Sequence, residues 1–426
     1  MAAYVRRMHH ISLHVSNVDK LASDFINKFK FNLFASRLTE RSRQLVFRTG
    51  AAVFIVNERA NRVHSPRPNV EPPPQQQAEE QQPAGCLYDI SPHYPVDTVC
   101  NVCFEVDDVH GTFEALRRLG CSFPVPPTTV RDHQGKVTYA VLRSIVGNVC
   151  HTLIDKSEYR GCFLPGFLVT EGGQEQQQLP WAGTHVDHIT YACPVGSSQQ
   201  VLSWYQQHFG FQRFFIHRND ETDGGFVIHQ KGMGLRLAAM TYWKCDESGL
   251  SLPGAQRDQP DCKFVLAESL PEQGSNQLDT FLEEHRAAGI QHIGLYTRDI
   301  VEAVRNMADA GVRFFSPPPA YYTGQGKLQE IEDAGLDVQK LAQHGVLVDT
   351  DPEQRFVSDS ETQRYLLQVF SKAIFEEDTF FLELIERRGS SGFGEGNIRA
   401  LWKIVETNMD GKKAESARLG ALQQSR

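Results

Sequence analysis

Two imidazoles and one carboxylate in the second half of the chain, His188, His292 and Glu383, stand in otherwise apolar segments: VDHIT, GIQHIGLYT and FFLELIE. Each segment alternates like a β-strand, so Val186, His188 and Thr190 share one face, as do Ile290, His292 and Gly294, and Phe381, Glu383 and Ile385. A single inward His is commonly a hydrogen-bonded core residue, whereas an inward Glu is costly unless paired or bound to a metal. Together they form the facial triad that holds non-haem iron(II) and leaves coordination positions open. His185 and Asp187 offer a competing H-x-D set, but strict alternation puts them on the face opposite His188.

The elements that must carry these residues occur twice. MHHISLHV at 8–15 matches VDHITYAC at 186–193, with His10 on His188. VCNVCFEVDDVHGTFEALRRLGCSF matches GIQHIGLYTRDIVEAVRNMADAGVRF without a gap, placing Asn101 on His292 and Gly120 on Gly311. VCHTLID matches FFLELIE and puts Thr152 on Glu383. Each half reads as strand, helix and further strands, with helices expected over Val109 to Leu119 and Val301 to Ala310. The pattern predicts an α+β chain of tandem βαβββ modules whose curved sheets each cup a pocket. Because His10, Asn101 and Thr152 keep only one strong ligand, the first half reads as a spent copy rather than a second metal site built on His9 and His10.

Composition narrows the function classes. The 426 residues carry 43 Lys and Arg against 52 Asp and Glu, a formal charge of −9, which argues against a nucleic-acid surface. No window is long and apolar enough to span a bilayer. Nine scattered cysteines suggest reduced thiols; Cys100 and Cys103 form a C-x-x-C in a strand, where alternation would send them to opposite faces. Residues 61–85, rich in Pro and Gln, read as a disordered insertion, and Glu171 to Trp181 as a linker. The expected domains are 7–157 and 185–373, the latter completed by Glu383, with 374–426 supplying the last strand, a helix and a solvated tail.

The strings VDHIT, GIQHIGLYT, YLLQVF, TFFLELIERRG and GFGEGNIRALW, with YRGCFLPGF closing the first half, resemble the 4-hydroxyphenylpyruvate dioxygenase family and most of all its vertebrate paralogue branch. That resemblance implies tandem vicinal-oxygen-chelate (glyoxalase/extradiol dioxygenase-like) modules, Fe(II) on His188, His292 and Glu383, and oxidation of an aryl α-keto acid by O2. It also implies substrate contacts at Gln277, Gln291, Gln368, Phe370, Phe393 and Asn397, and a C-terminal lid helix over the iron pocket. Three positions depart from the homogentisate-forming enzymes: Ala267 replaces Asn, Leu237 replaces Ser and Ile398 replaces Phe. These changes favour benzylic hydroxylation, giving 4-hydroxymandelate for a quinone ring, over homogentisate formation. The competing readings are an extradiol catechol dioxygenase and a non-catalytic binding module. By resemblance, and from Arg6 and Arg7 in an acid-free N-terminal stretch, a mitochondrial location is expected, with the cytoplasm as alternative, and a homodimer is compatible.

Overall fold

The computed structural model describes residues 5–40, 42–59, 85–90, 94–170, 184–214, 225–230, 232–242, 262–271, 273–350, 364–377 and 379–401. Most of the expected insertion, the linker and the tail lie outside the described residues. The first half contributes β1 (Arg7–Val15), β2 (Asn32–Leu38), β3 (Arg43–Thr49), β4 (Ala52–Glu58), β5 (Thr98–Glu105), β6 (Val125–Asp132), β7 (Gly135–Arg143), β8 (Cys150–Asp155) and β9 (Leu168–Val169). They form one sheet in the order β6-β7-β8-β5-β1-β4-β3-β2-β9. The second half contributes β10 (His185–Cys193), β11 (Gln212–Phe214), β12 (Phe226–Gln230), β13 (Met233–Thr241), β14 (Lys263–Ser269), β15 (Gly289–Tyr296), β16 (Leu347–Thr350), β17 (Tyr365–Phe370) and β18 (Phe381–Arg388). Their order is β11-β13-β14-β10-β15-β18-β17-β16, with β12 also on β13.

The internal repeat is thus a repeat of pairing. β8-β5-β1-β4 and β18-β15-β10-β14 share one pattern of parallel outer and antiparallel central contacts. Each half curls into a half-open barrel, as expected of α+β vicinal-oxygen-chelate modules. The helices follow suit: α1 (Val18–Ser23) and α2 (Val109–Arg118) answer α3 (Ser198–Phe209) and α5 (Ile300–Asp309), while α4 (Gln277–His285) precedes β15. Asp108 and Asp299 cap α2 and α5 by accepting from the backbone N–H three residues on, which fixes both starts. Strand β18 pairs between β15 and β17, so the second module runs to Arg388, and the expected boundary at 373 falls in the hairpin before it. After β18 a last helix, α6 (395–401), begins the expected lid.

The modules pack through their convex sides. Phe104 and His151 of the first half meet Tyr205, Phe209, Phe211 and Phe264 of the second in one apolar cluster. The His151 imidazole lies 2.7 Å from the Tyr205 hydroxyl across this seam. Two smaller cores fill the concave sides, one per module.

Candidate metal centre

β10, β15 and β18 are neighbours, and each presents one ligand to the second concave face. His188 pairs with Gly294, His292 with Thr190, and Glu383 with Gly294, so the three side chains converge over one glycine. Glu383 Oε2 lies 3.2 Å from His188 Nε2 and 3.5 Å from His292 Nε2. One ligand atom from each residue falls within 4.8 Å of the others. Glu383 is 1 % exposed, yet among the described residues no Lys or Arg lies within ion-pair distance of it. A buried carboxylate oxygen that faces two imidazoles with no cation beside it fits a divalent metal, which would satisfy all three groups at once.

The remaining ring nitrogens are occupied. His188 Nδ1 lies 2.8 Å from Asp187 Oδ1, and His292 Nδ1 lies 3.2 Å from Gln291 Oε1. Each contact places the proton on Nδ1 and leaves Nε2 for the metal. Two β-bulges make this possible: the β10–β15 register slips at Asp187 and again at Gln291, turning each to the side of the ligand that follows it. Asp187 is therefore not on the opposite face, as strict alternation had it; His185 alone turns away, stacking on Tyr296. The same two bulges recur in the first half at His9 and Cys100. They bring Cys100 and Cys103 to one side, beside Asp89 and His10 respectively, where alternation predicted opposite faces. Both are free thiols, and burial pushes their pKa values well up.

Electrostatics make the metal a competitor of a proton. Burial opposes charge on His188, but Glu383 and Asp187 outweigh it and raise its pKa to about 9; burial, then the charge on His188, holds His292 well below its ordinary value. In the metal-free protein this raised pKa stabilises the fold fully below about pH 6.5, the unperturbed value, and the contribution is lost as pH rises through about 9. Apparent metal affinity should therefore climb by up to about tenfold per pH unit below pH 9, then level. Titration with Co(II) at pH 6.5, 7.5 and 8.5 checks this; a flat affinity contradicts it.

A cavity of about 470 Å³ opens from the triad. Gln291, Phe370, Phe393 and Asn397 line it, as expected, and so do the departing positions Leu237, Ala267 and Ile398. Gln277, the first residue of α4, reaches it from the exposed rim. Gln368 differs from expectation: it lies behind the wall, fully engaged. Its Nε2 donates to Glu383 Oε1 (2.8 Å) and Phe393 O (3.0 Å), and its Oε1 accepts from Asn397 Nδ2 (2.9 Å). Gln368 thus aims the ligand carboxylate and holds the start of α6. Gly394, at φ +80°, leaves room for this, since a Cβ there would lie 1.7 Å from Gln368 Oε1. Gly394→Ala is expected to push Gln368 off Glu383 and weaken Co(II) binding roughly 10-fold, the lower end for an outer-sphere partner; unchanged affinity would contradict it.

Among the described residues, the chain itself enters the first concave face. Leu87 and Tyr88 enter from one side and Phe163, Leu164 and Phe167 from another, joining one buried cluster. Asn101 and Thr152, at the places of His292 and Glu383, bond to each other (2.9 Å), and Thr152 donates to Tyr88 O (2.7 Å). Asn101 and Thr152 thus anchor this plug. Sequence reasoning missed it because 85–90 and 163–167 lie outside the repeated segments.

The sequence pattern of the Glyoxalase/Bleomycin resistance protein/Dioxygenase superfamily matches residues 185–335, within the second module. The chain is 40 % identical to the 4-hydroxyphenylpyruvate dioxygenase-like protein of Mus musculus over 413 residues, covering 95 % of this chain and 98 % of that one. It is 28 % identical to the 4-hydroxyphenylpyruvate dioxygenase of Aspergillus fumigatus, covering 93 % and 91 %. A 4-hydroxymandelate synthase variant from Streptomyces coelicolor superposes with a TM-score of 0.68 at 21 % identity, over 96 % of this chain and all of that one, which shows a shared fold. The two-module architecture is that of the glyoxalase and dioxygenase superfamily. Within it, the chain belongs to the 4-hydroxyphenylpyruvate dioxygenase family, alongside the dioxygenase-like proteins.

Proposed function

We propose that this protein is an Fe(II)-dependent dioxygenase that decarboxylates 4-hydroxyphenylpyruvate and hydroxylates it at the benzylic carbon, giving 4-hydroxymandelate. The observation that carries this reading is a buried His, His, Glu set opening into an apolar cavity. Iron(II) held there would supply chelation of the keto acid and activation of O2. The chain's own residues bind, orient and exclude water. Phe370 pairs with Glu383 in register, and Phe393 stands edge-on to His188 at 5.3 Å, so the two rings flank the metal end and restrict an aryl group between them. Gln291 accepts from His292 and keeps its amide NH2 for the substrate.

The product follows from the far wall. Ala267 stands four residues beyond Lys263, the register partner of His188, about 13 Å along the strand, and Leu237 pairs with it. With Ile398 these side chains meet the ring end of a substrate and offer it no hydrogen bond. A ring held there by shape alone leaves the benzylic carbon as the point nearest the metal. The test is anaerobic reconstitution with Fe(II), then O2 and 4-hydroxyphenylpyruvate, with products identified by mass spectrometry beside a His292→Ala control. 4-Hydroxymandelate, lost in the control, is expected. Homogentisate alone overturns the product assignment, and absent turnover with stoichiometric iron overturns the substrate assignment.

A further inference from the structure

Asp187 does more than touch His188. Its two oxygens accept a forked pair of bonds from Arg387, Nε to Oδ2 and Nη2 to Oδ1, both at 2.7 Å. The third nitrogen of Arg387 turns the other way, donating to Gly392 O at 2.6 Å and Ser390 O at 3.2 Å. Those carbonyls belong to the segment that delivers Phe393 to the cavity, and the Arg387 guanidinium lies 5.6 Å over the Phe393 ring. One planar group therefore joins the outer partner of a metal ligand to the backbone that closes the pocket. Its rigid fork suits this, because each bond constrains the direction of the others.

The first module provides the control. At the places of Asp187 and Arg387 it has His9 and Lys156, and at the place of His188 it has His10. There the ring nitrogens of His9 and His10 meet at 2.7 Å with no carboxylate between, and among the described residues His10 Nε2 has no hydrogen-bond partner. The module without the His, His, Glu set also lacks a carboxylate at the Asp187 place and the fork: its nearest carboxylate, Glu105, stands 3.8 Å from His9 Nε2 and accepts a bond from Arg7. A purely packing role for the Asp–Arg pair would not predict its absence from that copy.

We propose that Asp187 and Arg387 are positioning residues that tie segment 390–394 to His188, so that seating the metal and ordering the pocket-closing segment are one coupled equilibrium. The inference rests on His188 being a metal ligand. Coupling of this kind is reciprocal: whatever factor the segment contributes to metal affinity, the metal returns as order in the segment.

The test uses the full chain, Co(II) alone as probe, and amide hydrogen exchange read by mass spectrometry on peptides covering 388–401. Co(II) should slow exchange across 390–394 in the wild type by about tenfold or more. Arg387→Lys keeps a charge but loses the fork, and the Asp187→Asn/Arg387→Gln double variant removes both buried charges without stranding one. Both are expected to bind Co(II) roughly 10- to 100-fold more weakly and to lose the metal-induced slowing in 390–394, while peptides from β14 stay protected. If the double variant does not fold, Arg387→Lys decides alone. Variants that match the wild type within twofold in affinity, or keep the slowing, overturn the coupling. A wild type that binds no Co(II) instead overturns the metal centre itself, and the coupling with it.

Discussion

Replacing Glu383 by Gln abolishes metal uptake and turnover and leaves the fold in place. Among the described residues the carboxylate is the only anion in contact with both imidazoles, at 3.2 and 3.5 Å, and Gln368 Nε2 occupies its other oxygen. An amide fills the same volume but brings no charge, and its NH2 must face either the imidazoles or the Gln368 donor. Outer-sphere partners alone are worth about 10- to 100-fold in metal affinity, so losing the anionic ligand should exceed roughly 100-fold. A second readout follows from the proton that occupies the metal-free site. Without Glu383 the largest influence raising the His188 pKa is gone and only Asp187 still opposes burial, so that pKa falls from about 9 and the stability it lends below that pH shrinks. The variant's melting temperature should therefore depend less on pH between 6.5 and 9 than the wild type's. Calorimetric titration with Co(II) and melting curves across that range check both; affinity within tenfold of the wild type would refute the ligand assignment.

The triad was legible because it interrupts apolar strands at three equivalent points of a repeat, and the repeat also revealed the order of elements. What alternation could not supply was the pair of bulges. A bulge adds one residue to a strand without changing its composition, so Asp187 read as facing away from His188, and nothing in the pattern marked Gln291, expected as a substrate contact, as the hydrogen-bond partner of His292. Cys100 was misplaced for the same reason. The one available hint was positional: Asp187 falls on His9, so the carboxylate beside the first imidazole is present in one half and absent from the other. Gln368 was assigned to the right neighbourhood but the wrong task, since composition cannot tell an amide facing substrate from one spent on Glu383 and α6.

Gly294→Ala is the smallest change expected to disable the centre. The His188 ring lies directly over this glycine, and a Cβ there would stand 2.3 Å from His188 Cε1 and 2.5 Å from Nδ1. The backbone of Gly294 pairs with His188 on one side and Glu383 on the other, so it cannot retreat without shifting both ligands. The ring must yield instead, and it is held by Asp187 at one edge and Phe393 at another. Forcing an extra methyl into such packing costs about 1–3 kcal/mol, which a domain of this size survives. A ring displaced by about 1 Å costs the chemistry on the order of 100-fold, because ligand direction matters more than its presence. The first module shows that the strand itself does not require glycine here: at the equivalent place it carries Cys103, fully buried beside His10. The expected outcome is a folded Gly294→Ala protein with melting within a few degrees of wild type, yet with Co(II) affinity and turnover each reduced about 100-fold. Affinity and rate within threefold of wild type would mean that His188 does not need its present orientation to bind the metal, and the geometry argued for the centre would have to be abandoned.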